Sequence, residues 1–238
     1  MINLSMILRD KDIREPLFEF LDITYGKNRI IEEKQIGKSR ADVMMVLPES
    51  IWGIEIKSDA DTYARLERQI KDYNRFFDYN IVVVGATHGN SIMEHVPEYW
   101  GIITVEDIAE SSVMADSKVD IIKRDAFDDA IDMIRMDIPD GDVESYGSSE
   151  PQLDFYILRK PQRNPKREKK VLFRNQMSFL WKSELSHIQE INGMRKLTSL
   201  SKKNRVLRIM DTVPEEELKR QLCDALIERD YSCFDEES

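Results

Sequence analysis

Cysteine and histidine are scarce in this chain: two cysteines (Cys223, Cys233) and three histidines (His88, His95, His187) among 238 residues. The cysteines have neither metal-site spacing nor a His-rich neighbourhood. They read as reduced thiols of a cytoplasmic protein, not as a disulfide framework or a soft-metal centre. A metal, if one is used, has to be held by carboxylates, which favours a hard cation such as Mg²⁺ or Mn²⁺. Nine glycines and eight prolines are too few for collagen-like or low-complexity sequence. No apolar run approaches the ~20 residues of a membrane span, and the opening MINLSMILRDKDIREP reaches charge too early for a signal peptide. What is present, 41% hydrophobic and 34% charged residues, is the composition of a globular protein long enough to bury a large core.

The formal charge of −10 would by itself argue against a nucleic-acid partner, but the charge is segregated. Residues 106–154 carry 4 Lys/Arg against 15 Asp/Glu, net −11, whereas residues 160–208 carry 14 against 3, net +11. A phosphate backbone would therefore meet a local basic surface in the second half. The acidic stretch reads as a solvated face.

Hydrophobic spacing divides the chain further. Residues 12–22 read as a helix capped by Asp12, with Ile13, Leu17, Phe20 and Leu21 on one face and Pro16 near its first turn. Runs at 28–37, 40–48 and 51–58 are strand-length and joined by turn residues, which predicts an antiparallel meander. A helix capped by Asp61 or Thr62 follows to Asp78, with Tyr63, Leu66, Ile70, Tyr73 and Phe77 stepping by three and four. The apolar runs 80–88 and 100–106 read as strands covered on both faces, with the sheet ending near residue 106. Residues 141–152 read as a linker and 160–170 as too basic and Pro-interrupted to pack. Three short helices follow, the last with Thr212 and Glu215 at capping-box spacing. The expected fold is α/β, an α+β sheet core with a small helical C-terminal module. Its divisions are 1–110 (core), 111–159 (acidic connecting region) and 160–238 (basic helical module).

The chemistry concentrates in residues 40–73. Asp42 opens one strand, and thirteen residues later Glu55 and Lys57 sit in the next. Side chains two apart on a strand share a face, so Glu55 and Lys57 project together. A charged pair in an apolar strand is costly unless something compensates it, and a salt bridge or a divalent cation would do so. Glu-x-Lys also occurs at Glu32/Lys34, Glu168/Lys170 and Glu217/Lys219, so the string alone decides nothing. Context distinguishes Glu55: Asp42 lies on the neighbouring strand of a hairpin, and the next helix carries Gln69 and Tyr73 one turn apart. Trp52 and Trp100 read as core, Asp59 and Asp61 as turn and cap residues, and His88 as a polar rim residue.

The order Asp42, Glu55-Ile56-Lys57, Gln69-x-x-x-Tyr73 resembles the PD-(D/E)XK nuclease superfamily in its RecB-like branch with a Gln-x-x-x-Tyr helix. The string GIEIKSDADTYARLERQIKDYNRFFD (53–78), followed by IVVVGATH and PEYWGIITVE, is similar to a family of bacterial and phage proteins assigned to that superfamily. The resemblance covers roughly residues 8–106. Ala41 stands where the motif name has Pro, a position that varies.

The resemblance implies a restriction-endonuclease-like core that hydrolyses phosphodiester bonds with Mg²⁺ or Mn²⁺. Asp42, Glu55 and the Ile56 carbonyl would be metal ligands. Glu15 is the first choice for a further acid from the N-terminal helix, and Glu33 the second. Lys57 would orient the attacking water or stabilise the pentacovalent state, while Gln69 and Tyr73 would brace the site or touch the backbone. The expected partner is DNA, with RNA as the alternative polymer. It would be met by Lys166, Arg167, Lys169, Lys170, Lys202, Lys203 and Arg205, and the C-terminal helices also offer a surface to a protein partner. The competing expectation is a nuclease-fold binding module or a phage anti-defence factor that recognises nucleic acid or a host protein without turnover.

Overall fold

The computed structural model describes residues 8–58, 65–85, 89–107, 153–165, 169–195 and 199–230. The elements are α1 (Asp10–Tyr25), β1 (Arg29–Ile36), β2 (Ser39–Leu47), β3 (Ser50–Lys57), α2 (Leu66–Phe76), β4 (Tyr79–Gly85), a single turn α3 (Gly89–Ile92), β5 (Gly101–Asp107), β6 (Leu153–Arg159), α4 (Lys169–Met177), α5 (Lys182–Ile191), α6 (Lys202–Met210) and α7 (Glu215–Ile227). The six strands form one mixed sheet in the order β1-β2-β3-β4-β5-β6. β1, β2 and β3 make the expected antiparallel meander, β3, β4 and β5 run parallel, and β6 returns antiparallel. The class is α+β.

Both faces of the sheet are covered. On one, Ile13, Leu17 and Leu21 of α1 meet Val43, Met45, Ile54, Ile56 and Val83. On the other, α2 and the C-terminal helices share a single core with Met44, Val46, Ile51, Val82 and Val84. β4 alone buries Ile81, Val82, Val83 and Val84 completely, at about 1.5–3 kcal/mol per side chain. Trp100 is fully buried and Trp52 nearly so, as expected.

Two close approaches fix α2 over the sheet. Gly53 lies under Phe77, where a Cβ would overlap the ring, so the helix end can rest on β3. The β1–β2 turn needs Gly37 at φ +61°. Buried Asp72 of α2 there accepts the Lys38 N–H at 3.2 Å and the Ser39 hydroxyl at 2.8 Å.

Several expectations need correction. The sheet does not end near residue 106. Leu153–Arg159, assigned above to the connecting region, is an edge strand whose Phe155 stacks on Phe20 at 5.2 Å, and Arg159 anchors it to the Trp100 and Pro97 carbonyls at 2.7 and 3.0 Å. α1 starts at Asp10, so Pro16 lies inside the helix and cannot donate to the Asp12 carbonyl. The Asp12 carboxylate instead takes the Arg9 N–H at 3.0 Å. Among the described residues the C-terminal part has four helices, because the basic stretch already turns helical at Lys169 and Leu172 and Phe173 are buried. The Thr212–Glu215 capping box does not form: Pro214 precedes α7, and the Thr212 hydroxyl donates to the Arg208 carbonyl at 2.9 Å. Asp59, Asp61, Thr62, Tyr63, His88 and the acidic stretch 108–152 with its linker lie outside the described residues. Among the described residues no helix is long and apolar enough to cross a membrane.

Candidate active site

The β2–β3 ladder runs from Leu47/Ser50 to Val43/Ile54 and then opens. Asp42 is the next residue on β2. Its Oδ2, not a backbone carbonyl, accepts the Ile56 N–H at 2.8 Å. In an antiparallel pair a residue's N–H and C=O face the same neighbour, so the Ile56 carbonyl also looks toward Asp42. The Tyr73 hydroxyl enters the gap, accepting the Asp42 N–H at 3.3 Å and lying 3.2 Å from the Ile54 carbonyl. A tyrosine from α2 thus holds two strands apart where the carboxylates stand.

Glu55, 1% exposed, collects three donors. Lys57 Nζ reaches Oε1 at 2.6 Å, Gln69 Nε2 reaches the same oxygen, and the Tyr73 hydroxyl reaches Oε2 at 2.6 Å. Lys57 Nζ also bonds Gln69 Oε1 at 3.2 Å. The two-residue spacing on β3 and the four-residue spacing on α2 therefore bring all five predicted side chains together.

Asp42 is the electrostatically strained member. Its pKa is pushed from 3.8 up to about 7, chiefly by burial and then by the charge of Glu55, against the Ile56 N–H and Lys57. Burial and Glu55 raise the Tyr73 pKa well above its ordinary value, so this hydroxyl keeps its proton and donates. Among the described residues Asp42 Oδ1 takes no hydrogen bond. Two like charges in a poorly solvated cleft, one with an unused oxygen, fit a hard divalent cation. Among the described residues no group of three or more His, Cys, Asp or Glu could enclose one. The protein donors would be Asp42, Glu55 and the Ile56 carbonyl, with water completing the shell.

The N-terminal helix contributes differently from the expectation. Glu15 is exposed; the acid of this helix whose charge reaches Asp42 is Asp10. Between them Arg14 acts as a hub. Its guanidinium bonds Asp10 at 2.7 Å, Glu32 at 2.9 Å, Glu33 at 2.7 Å and the Asp42 carbonyl at 3.3 Å. Glu33, which also pairs with Arg40, sits in the β1–β2 register opposite Asp42 and has φ +55°, a conformation costly for a residue with a side chain. Ile31 and Ile36 of β1, and Met44 and Ala41 of β2, all contact the α2-side core. Alternation alone would put each pair on opposite faces, so both strands change phase across Glu33 and Asp42. Glu33 is engaged by two arginines, which makes it a support of the kink. The spacing of four signals only the Asp10 bond; the other three have no local pattern.

A family model described as bacteriophage P4 protein cII matches residues 5–132. The chain belongs to the bacteriophage P4 protein cII family. No curated protein and no solved structure matches it. The part that carries the cII relationship contains α1 through β5 and every residue of the carboxylate cluster; the C-terminal helices lie beyond it.

In this cII-family chain the expected basic contacts divide. Lys166, Arg167 and the Lys169 side chain are outside the described residues. Lys170 and Lys203 are exposed, and Lys202 is half-buried with Nζ on the Ser178 carbonyl at 2.7 Å. Arg205 needs correction. It is 4% exposed, and its guanidinium bonds Ser186 Oγ at 2.8 Å and Gln189 Oε1 at 2.7 Å. It locks α6 onto α5 instead of facing solvent.

Proposed function

We propose that this chain is a Mg²⁺- or Mn²⁺-dependent nuclease with a restriction-endonuclease-like core, hydrolysing phosphodiester bonds in DNA in the cytoplasm. The observation that carries the reading is the convergence of Asp42, Glu55 and Lys57, braced by Gln69 and Tyr73, at one point where the β2–β3 ladder opens. The element order helix, three-stranded meander, helix, strand supports it.

Asp42 and Glu55 would hold the cation, with the Ile56 carbonyl beside them. The cation would supply a lowered water pKa and neutralise charge on the phosphate. Tyr73 and Gln69 hold the Glu55 carboxylate in place through hydrogen bonds to its two oxygens. Lys57 is held within 2.6 Å of Glu55 by its own strand. Its ammonium would hold the attacking water or a non-bridging phosphate oxygen. The test is incubation with supercoiled, linear and single-stranded DNA plus Mg²⁺ or Mn²⁺, beside Glu55→Gln. Cleavage by the wild type alone is expected, and equal cleavage by both would remove the assignment.

One observation favours the second reading, a nuclease-fold module that binds without turnover: Glu55 already has three donors, which suffices for a buried structural ion pair. Nucleic-acid binding with no metal-dependent cleavage would select it.

A further inference from the structure

A groove of about 450 Å³ between α4 and α6 is lined by Arg174, Asn175, Ser178, Lys202, Lys203 and Val206. Arg174 and Lys203 are exposed. Among the described residues no carboxylate pairs with Arg174, Lys202 or Lys203. The groove walls are fixed. Arg205 ties α6 to α5, and Asn175 donates to the Arg75 carbonyl at 2.8 Å, tying α4 to the end of α2.

The cationic track continues toward the carboxylate cluster. Lys34 follows Glu33 on β1 and pairs in register with Ala41, the neighbour of Asp42. Its Nζ lies 5.3 Å from the centre of the Phe179 ring. Burial lowers its pKa, and the charges of Arg229 and Lys202 lower it further against the opposing pull of Glu184. Both Glu184 oxygens are already taken by Arg229, each at 2.7 Å. Lys34 and Lys202 thus stand near one another and near Arg229 with no acid of their own among the described residues, which raises the free energy of the empty protein. An extended polyanion relieves that cost.

We propose that the α4–α6 groove holds the phosphodiester backbone of a nucleic-acid strand through Arg174, Lys202 and Lys203, and that Lys34 carries the strand on toward Asp42 and Glu55. Only the second clause rests on the nuclease reading. Arg75, whose carbonyl Asn175 holds at the edge of the groove, is six residues or about 9 Å of helix beyond Gln69.

The experiment measures binding in EDTA, so that cleavage plays no part. The full chain is titrated against fluorescein-labelled duplex DNA, and against single-stranded DNA and RNA of the same sequence, over a KCl series. Arg174→Ala and Lys203→Ala, both at exposed positions, should each flatten the slope of log K against log salt by about 0.9. Near 0.1 M salt that is a loss of roughly eightfold in affinity per contact. Lys34→Met, which keeps an unbranched apolar stem but removes the charge, should do the same. Lys11→Ala, on exposed α1 across the sheet, should leave the slope unchanged. The polymer with the steepest wild-type slope is the one the groove serves. Variants with wild-type affinity and slope, or a wild-type protein that binds none of the three polymers at low salt, would overturn the proposal. A protein that binds through the groove yet never cuts keeps the groove and loses the nuclease. One that cuts while all variants bind normally loses the groove alone.

Discussion

Asp42→Asn should make the metal-free protein more stable while ending its activity. In the folded chain the Asp42 carboxyl holds its proton up to about pH 7, against an ordinary value of 3.8. Between these values the native state binds a proton that the unfolded chain has released, so stability falls as pH rises, by up to about 1.4 kcal/mol per pH unit. Above pH 7 the whole penalty is present, on the order of 4 kcal/mol. Asparagine has the shape of the neutral acid, can still accept the Ile56 N–H, and carries no charge to desolvate or to set against Glu55. Wild type and variant should therefore melt together near pH 4 and separate by about 10 °C at pH 8, taking 2–4 °C per kcal/mol for a chain of this size. Added Mg²⁺ should raise the melting temperature of the wild type at pH 8 and not that of the variant, because a ligand stabilises only the protein it binds. Differential scanning fluorimetry across pH, with and without Mg²⁺, reads all of this. Melting curves of wild type and variant that stay parallel from pH 4 to pH 8 would refute the reasoning, since the carboxyl would then be an ordinary solvated one.

Glu55→Gln should abolish metal-dependent cleavage while circular dichroism shows the wild-type fold. Lys57→Ala should also stop cleavage, yet bind Mn²⁺ at least as tightly as wild type in a calorimetric titration, because a competing cation has been removed; its metal-free form should be less stable at pH 8. Arg14→Ala should lower Mn²⁺ affinity without touching a ligand, as Glu33 and the Asp42 carbonyl lose their shared support; unchanged affinity would make Arg14 a surface ion-pair residue. Lys219→Ala should cost roughly 3–5 kcal/mol in urea unfolding, because it leaves buried Asp78 without the ammonium 2.6 Å away.

The candidate site was more legible than the fold around it. Glu55 and Lys57 share a strand face, and Gln69 and Tyr73 a helix face, by spacing alone; Asp42 followed from one hairpin. Arg14 was not legible, because its partners Glu32, Glu33 and the Asp42 carbonyl come from two strands whose change of phase no local pattern announces. β6 was missed for a related reason: LDFYILR has the composition of a strand, but its partner β5 lies across a long acidic interval. Arg205 reads as one more cation in a basic helix until tertiary packing turns it inward.

The shared core beneath α2 has a consequence for how this protein can be divided. The family model matches residues 5–132, but Leu218, Leu222 and Leu226 of α7 lie in the same cluster as Met44, Val46 and Ile51 of the meander, and Asp78 is clasped by Gln176 and Lys219. The stretch that the family model matches is thus not the stretch that folds as one. Residues 5–132 by themselves would keep α2 on its face of the sheet but lose the α7 leucines packed beside it, and the β5 edge would lose its β6 partner. A protein cut down to the matched stretch would need some other cover where α7 now lies.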